Sequence, residues 1–451
     1  MVKKNIPEVL IVHCVDTEGV MHENIDATFE RIKDNYDIDL LPTQENLIKL
    51  REGINNKTYD SSLAKFISPV QTTFIKTLDS HRSMILDLSK NYRFKLLDSY
   101  GAGYIWNWHV LDFVGFKTNP RHRLFGNHVI FDLFLEYLNK SNNKHEIHDT
   151  IQWHYHHPPI DGSGHKSGLN WYYNNYYDYI LSRKIIDRLW FPSVFRPGEH
   201  IERNSISFWL NQWIPFDYAS RSIDPKYGYT QVDDDGRRHD WREASTEWGA
   251  YNPSFENYQI KGTMKRSIAR ILDINSRAYS ICEFEIEKAF RQVKDTGMDT
   301  ILAVMNHDIR DMRPEHDKFI NLIELVKQSY PDIPFRYCSG VEAMRRFYKL
   351  PKKDPIEFHV EFNRSKKIVF IETNYKPFGE QPYYCMKTVN EEYFHEPLFK
   401  IGEKKWAYYI NFNPQWVESI GLACNDDTGN TSVCKFLLHK NKTFSNSYNY
   451  S

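Results

Sequence analysis

The sequence predicts an α/β protein of the parallel-sheet or barrel kind over residues 1–350, followed by a small all-β domain over residues 356–451. Three observations carry this expectation. Apolar runs alternate with segments of helical periodicity along the first part of the chain. At least four of those runs end in polar or charged groups, as barrel strands do where they meet a site. Beyond Pro351–Pro355 (PKKDP), a linker by composition, strand-like runs follow at Glu357–Phe362, Lys367–Thr373, Trp406–Phe412 and Val433–Leu438, with a turn-rich NDDTGN at Asn425–Asn430. That pattern reads as a sandwich-like β domain.

A chain of 451 residues is too long for one ordinary core, and 41% hydrophobic with 26% charged residues is the balance of a globular protein. The formal net charge of -1, with lysine and arginine dispersed, argues against nucleic-acid binding, which needs a concentrated basic surface. Aromatics reach 15%, with 29 Tyr and 11 Trp, enough to line a sugar site as well as a core. The cysteines Cys14, Cys282, Cys338, Cys385, Cys424 and Cys434 are scattered, giving neither a zinc-knuckle spacing nor a disulfide framework. No apolar stretch approaches the roughly 18 residues of a membrane span. The apolar run at the N-terminus leads into Asp16 and Glu18 where a small-residue cleavage site would stand, so a cytoplasmic protein with reduced thiols is expected.

In chain order, Val9–Gly19 (VLIVHCVDTEG) is a strand buried on both faces, with Val12, Cys14, Asp16 and Glu18 sharing one face and His13 on the other. Two carboxylates at the exit of a buried strand need a cationic partner. Ile25, Phe29 and Ile32 form one helical stripe; Leu47, Leu50 and Ile54 form another, for which Thr43 serves as N-cap. Phe94–Phe116 reads as strand and loop, with Trp106 and Trp108 alternating, and Val129–Leu138 as a helix. Thr150–Pro159 (TIQWHYHHPP) is a short strand ending in three histidines within four positions. Clustered imidazoles repel when charged and are natural Zn²⁺ ligands when neutral.

Trp171–Leu189 reads as one long helix, and Ser193–Gly198 (SVFRPG) as a strand ending in Arg196, suited to gripping a carboxylate in a bidentate fork. Ile201–Trp213 is a helix and Ile214–Ser220 a strand. Ile223–Gln259, with Asp233-Asp234-Asp235 and Asp240-Trp241, is a long loop. Ile268, Ile271 and Leu272 fall at helical spacing. Ile286, Ala289, Phe290 and Val293 form a helix closed by Gly297, and Thr300–Met305 is a buried strand ending in Asn306-His307-Asp308. Phe319–Gln328 is helical, Phe335–Ser339 a strand and Val341–Tyr348 a helix.

With DTEG, HYHH, FRPG and NHD in this order at strand ends, the chain resembles the NodB-homology polysaccharide deacetylases, which are metal-dependent amidases. The resemblance covers roughly residues 8–350 and implies a distorted (β/α) barrel with a large insertion at about 20–145. It leaves the β domain outside. In that family an adjacent aspartate pair supplies a catalytic base and then a metal ligand. Carried over, Asp16 is the base and Glu18 the ligand, with Thr17 between them leaving the division of labour open. Two of His154, His156 and His157 would complete a site for Zn²⁺ or another divalent transition metal. Arg196 resembles the arginine that orients the base, and His307 the late general acid. For the family's DxxDW motif, Asp240-Trp241 and Asp217 are both candidates.

The implied activity is removal of an N-acyl group from a sugar or surface-polysaccharide precursor. The HCVDTEG form looks like relatives found with surface-polysaccharide biosynthesis. Two other readings compete with it. One is a glycosidase with paired carboxylates, whose activity would survive chelation; the other is a non-catalytic glycan-binding protein.

Overall fold

The computed structural model describes residues 6–19, 36–63, 77–112, 149–158, 168–224, 239–276 and 279–448, with scattered residues between these stretches. Ile25, Ile130, Leu133 and the acidic run at 233–235 lie outside the described residues.

Strand β1 (Val9–Thr17) is buried along its whole length, as its predominantly apolar sequence leads one to expect. With β2 (Trp106–Asp112), β3 (Thr150–Tyr155), β4 (Val194–Pro197), β5 (Phe216–Ser220), β7 (Ser267–Asp273) and β8 (Thr300–His307) it forms a closed barrel of seven parallel strands. The closing ladder is β1 on β2, where Asp16 stands opposite His109. One edge of β1 is paired with β8 along Val9–Asp16; the other is shared, with β9 (Phe335–Tyr337) along Val9–Ile11 and β2 along His13–Thr17. A short antiparallel β6 (Ala250–Tyr251) leans on β7. The interior holds Leu10, Val12, Cys14, Val194, Phe216, Tyr218, Ala269, Ile271, Ile301, Ala303 and Met305, capped by Val341, Ala343 and Met344. Each large apolar side chain so buried stabilises the fold by about 1.5–3 kcal/mol.

Helices α1 (Gln44–Asn55) and α2 (Leu78–Lys90) precede β2. Thr43 caps α1 by accepting the N–H of Asn46 at 3.2 Å. The stretch expected as one helix from Trp171 divides into a 3₁₀ turn, Trp171–Tyr173, and α3 (Tyr176–Arg188). The Asn174 side chain accepts the N–H of Tyr176 at 3.1 Å, the kind of local bond by which asparagine competes with helix. After α4 (Asn204–Trp213) the segment around Ile268–Leu272 is strand β7, not helix. A strand buried on both faces loses the alternation that would have separated it from a buried helix. Helix α5 (Glu283–Thr296) ends at Gly297 with φ 64, and α6 (Arg313–Ser329) and α7 (Gly340–Tyr348) complete the barrel's surround.

Beyond α7 the chain is antiparallel. One sheet joins β10 (Phe358–Asn363), β11 (Ile368–Thr373), β14 (Phe399–Gly402) and β15 (Lys405–Tyr409). A second joins β12 (Tyr383–Thr388), β13 (Tyr393–His395), β16 (Val417–Asn425), β17 (Thr431–Leu437) and β18 (Lys442–Tyr448). Val369, Ile371 and Trp406 of the first meet Tyr384, Met386, Ile420 and Phe436 of the second in one apolar layer. The opposite face of the second sheet contributes Tyr383, Cys385, Ala423 and Val433 to the cluster that holds Ile185, Ile186 and Trp213 on the barrel side. Gly421 makes this approach possible, since a Cβ there would stand 2.7 Å from Ile185 Cγ2 and 2.8 Å from Ile186 Cγ1.

All six cysteines are free thiols. Among the described residues no helix is long and apolar enough to cross a membrane.

Candidate metal centre

The alternation of β1 carries its inner face from Leu10, Val12 and Cys14 to Asp16 at the C-terminal rim, with Glu18 next beyond the strand. Both acids are buried, at 2% and 4% exposure. Asp16 receives Arg196 from β4 in a bidentate fork, Nε to Oδ1 at 2.7 Å and Nη2 to Oδ2 at 3.0 Å. The third guanidinium nitrogen donates to the Tyr218 carbonyl at 2.6 Å, so the arginine is fixed from the opposite side. Burial alone would raise the Asp16 carboxyl, but the Arg196 charge and its hydrogen bonds outweigh it and hold the group well below the usual carboxylate range.

His154, on the inner face of β3, stands opposite Arg196 in register. Its Nδ1–H donates to the Arg196 carbonyl at 3.1 Å, which leaves the Nε2 lone pair facing inward. Burial holds this imidazole below its ordinary pKa and therefore neutral. His156 follows just past the strand and brings its Nε2 to 3.1 Å from His154 Nε2. Gly198, the glycine of FRPG, gives the His156 ring its place: a Cβ there would lie 2.5 Å from the ring's Cγ and 2.6 Å from Nδ1.

Glu18, His154 and His156 thus offer one ligand atom each, all within 4.8 Å of one another. Two ligands bound at 2.0–2.1 Å to a tetrahedral ion are separated by about 3.3 Å, close to the gap between the two imidazoles. One carboxylate and two imidazoles form a donor set of the kind that binds divalent transition metals. The residues present therefore fit a metal ion.

His157 is not brought to this group. Its ring stacks on Trp171 with centroids 5.7 Å apart and meets Tyr173 edge-on at 5.1 Å, and Nδ1 bonds the Tyr155 hydroxyl at 3.1 Å. Burial lowers its pKa to about 3, making it a neutral core histidine. His307, at the end of β8, stands opposite Asp16 in register and is half-buried. Neither candidate for the DxxDW aspartate reaches the Asp16 side chain. Asp240 pairs with Arg242 at 2.9 Å, while Trp241 donates to the His200 carbonyl. Asp217 is engaged by Arg266, which also reaches Glu202 at 3.4 Å.

No family model matches the sequence, and no curated protein matches it. Among solved structures, the X-ray structure of the endo-β-1,4-mannanase from Thermotoga petrophila is similar at 9% identity over 89% of this chain and 74% of that one, with a TM-score of 0.15. A likeness of that size carries no argument.

Two residues at the rim escape sequence reasoning, and a third, Asp308, is visible in the sequence only as the end of the NHD motif. His109 faces Asp16 across the β1–β2 ladder, its pKa lowered to about 3 by burial and by Arg196, and its Nε2 has no hydrogen-bond partner among the described residues. The signal was present in WNWHVLD, where Asn107 and His109 alternate with the tryptophans. Asp273 ends β7; burial would raise it, but Arg221 at 2.8 Å, His200 and His307 hold it well below the carboxylate range. The helical spacing of Ile268, Ile271 and Leu272 hides this rim position in the sequence. Asp308, beside His307, accepts the backbone N–H groups of Glu18 and Gly19, a relation no local pattern announces.

Proposed function

We propose that this protein is a metal-dependent carbohydrate N-deacylase, removing an N-acyl (N-acetyl) group from a sugar or polysaccharide precursor on a distorted (β/α) barrel of the polysaccharide deacetylase type. The observation that carries the reading is the adjacency of two differently equipped acids, Asp16 locked by Arg196 and Glu18 grouped with the imidazoles of His154 and His156. Glu18, His154 and His156 would hold the ion, with Zn²⁺ the first candidate. Such an ion lowers the pKa of a bound water from 15.7 towards about 7 and polarises a carbonyl.

Asp16 remains ionised and takes the proton of the attacking water. A carboxylate held this low is a weak base, so it matches only a water that has itself been made acidic. Arg196 keeps the carboxylate aimed through its fork and is itself pinned by Tyr218. His307, across the ladder from Asp16, donates a proton to the leaving amine. The same low pKa makes Asp16 unfit as the protonated acid that a glycosidase pair requires.

The test is acetate release from N-acetylated oligosaccharides by the purified protein, before and after chelation and with Zn²⁺ restored. Loss on chelation with recovery on Zn²⁺ supports the reading. Turnover untouched by chelation, or glycan binding with no turnover, overturns it.

A further inference from the structure

We infer that Asp308, braced by His81, is a positioning residue for Glu18. One oxygen of the Asp308 carboxylate accepts the backbone N–H of Glu18 at 2.7 Å and that of Gly19 at 3.0 Å. The other accepts the Nε2–H of His81 at 2.7 Å. Both side chains are fully buried. The strand ladder explains why the clamp is needed. Pairing of β1 with β8 ends at Asp16 opposite His307, and pairing with β2 ends at Thr17, so Glu18 and Gly19 leave the sheet where their amides have no strand partner. Gly19 turns with φ 72, in the left-handed region that favours glycine. The carboxylate from the end of β8 gathers both amides and sets the direction in which the Glu18 side chain leaves the backbone.

His81 comes from elsewhere in the chain. It lies in the first turn of α2, between β1 and β2 in sequence, and its ring meets Phe134 edge-on at 5.8 Å. The imidazole fixes the rotation of the Asp308 carboxylate, so a helix outside the barrel ladder aims a residue at the barrel mouth. Groups that hold a metal ligand's surroundings in this way typically matter by about 10–100-fold in metal affinity. The consequence for affinity rests on the metal-centre reading above; the clamp on the backbone does not.

The experiment compares the full chain with its His81→Leu, His81→Gln and Asp308→Asn variants, reading amide hydrogen exchange over residues 14–19, Zn²⁺ affinity by competition titration, and melting temperature. The expected result is exchange at least about 10-fold faster and Zn²⁺ binding about 10–100-fold weaker in His81→Leu and Asp308→Asn. His81→Gln, which keeps a donor near the Nε2 position, should recover most of both. Wild-type exchange and affinity in His81→Leu would overturn the inference, as would a lowered melting temperature with both unchanged. If the wild type binds no Zn²⁺ and Glu18→Gln changes nothing, the metal-centre reading fails while the exchange data alone decide the clamp. Should one variant fail to fold, the others decide.

Discussion

Arg196 holds both oxygens of Asp16, at 2.7 and 3.0 Å, while its remaining nitrogen is spent on the Tyr218 carbonyl. A lysine keeps the charge at this position but not the fork. With Asp16 the base of the proposed reaction, Arg196→Lys should therefore fold, retain metal and lose roughly 100-fold in kcat, the scale of a misaligned general base. Arg196→Ala leaves a buried carboxylate unpaired and should cost about 3–5 kcal/mol of stability. Steady-state kinetics beside chemical denaturation separate the two outcomes.

The proposed metal ligands can be distinguished by stoichiometry. Glu18→Gln, His154→Ala and His156→Ala should each fall well below one bound ion per chain, as measured by elemental analysis after dialysis against Zn²⁺. His157→Phe, in a pocket made of Trp171, Tyr173 and Tyr155, should keep its metal. Equal loss in all four would place the ion elsewhere.

Gly198→Ala offers a steric test of the same centre. The added methyl would meet the His156 ring at 2.5 Å, and the ring must swing away. Zn²⁺ affinity should fall by 10-fold or more while His154→Ala, already lacking one ligand, responds little further to the second change. Non-additivity of this kind is the mark of two residues serving one site.

A buried acid at the joint between barrel and sandwich gives a pH dependence with a definite sign. Burial raises the Asp178 carboxyl to about 7, with the Tyr383 hydroxyl donating to it at 2.9 Å. The folded state thus binds this proton more tightly than the unfolded chain, whose aspartate titrates near 3.9. Its neutral form is favourable at low pH, and stability declines as pH rises from about 4 through about 7. Asp178→Asn should match the wild type at pH 4 and exceed it in melting temperature at pH 8. The reverse order would show that the carboxylate is ionised in the fold.

What the sequence disclosed, and what it withheld, follows the range of the forces involved. The β1 run, the Thr43 cap, the Gly297 terminus and the Arg196 strand end are local, written in a few adjacent residues. The strand character of β7 is hidden because burial on both faces removes the alternation, and the break at Asn174 because a two-residue side-chain bond interrupts an otherwise helical periodicity. Among the rim residues, Asp16, Glu18, His154 and His156 were visible as clusters of chemistry-bearing types, and the choice of His156 over His157 needed the Gly198 cradle. Asp308 and His81 became meaningful only through contacts spanning more than two hundred positions. Register across the closed barrel, together with the docking of α2, brings such residues together.

The shared apolar layer between α3 and the second antiparallel sheet has a consequence for how this protein can change. Ile185 and Ile186 lean on Gly421, while the Tyr383 hydroxyl donates to Asp178 and the Tyr393 hydroxyl to Asp187 along the same seam. The C-terminal sheets are therefore no interchangeable cassette. Exchanging them for another sandwich, or severing the chain near Lys352, would strip an oily flank from the helix that follows the histidine strand, so the two halves of the chain are bound to vary in concert.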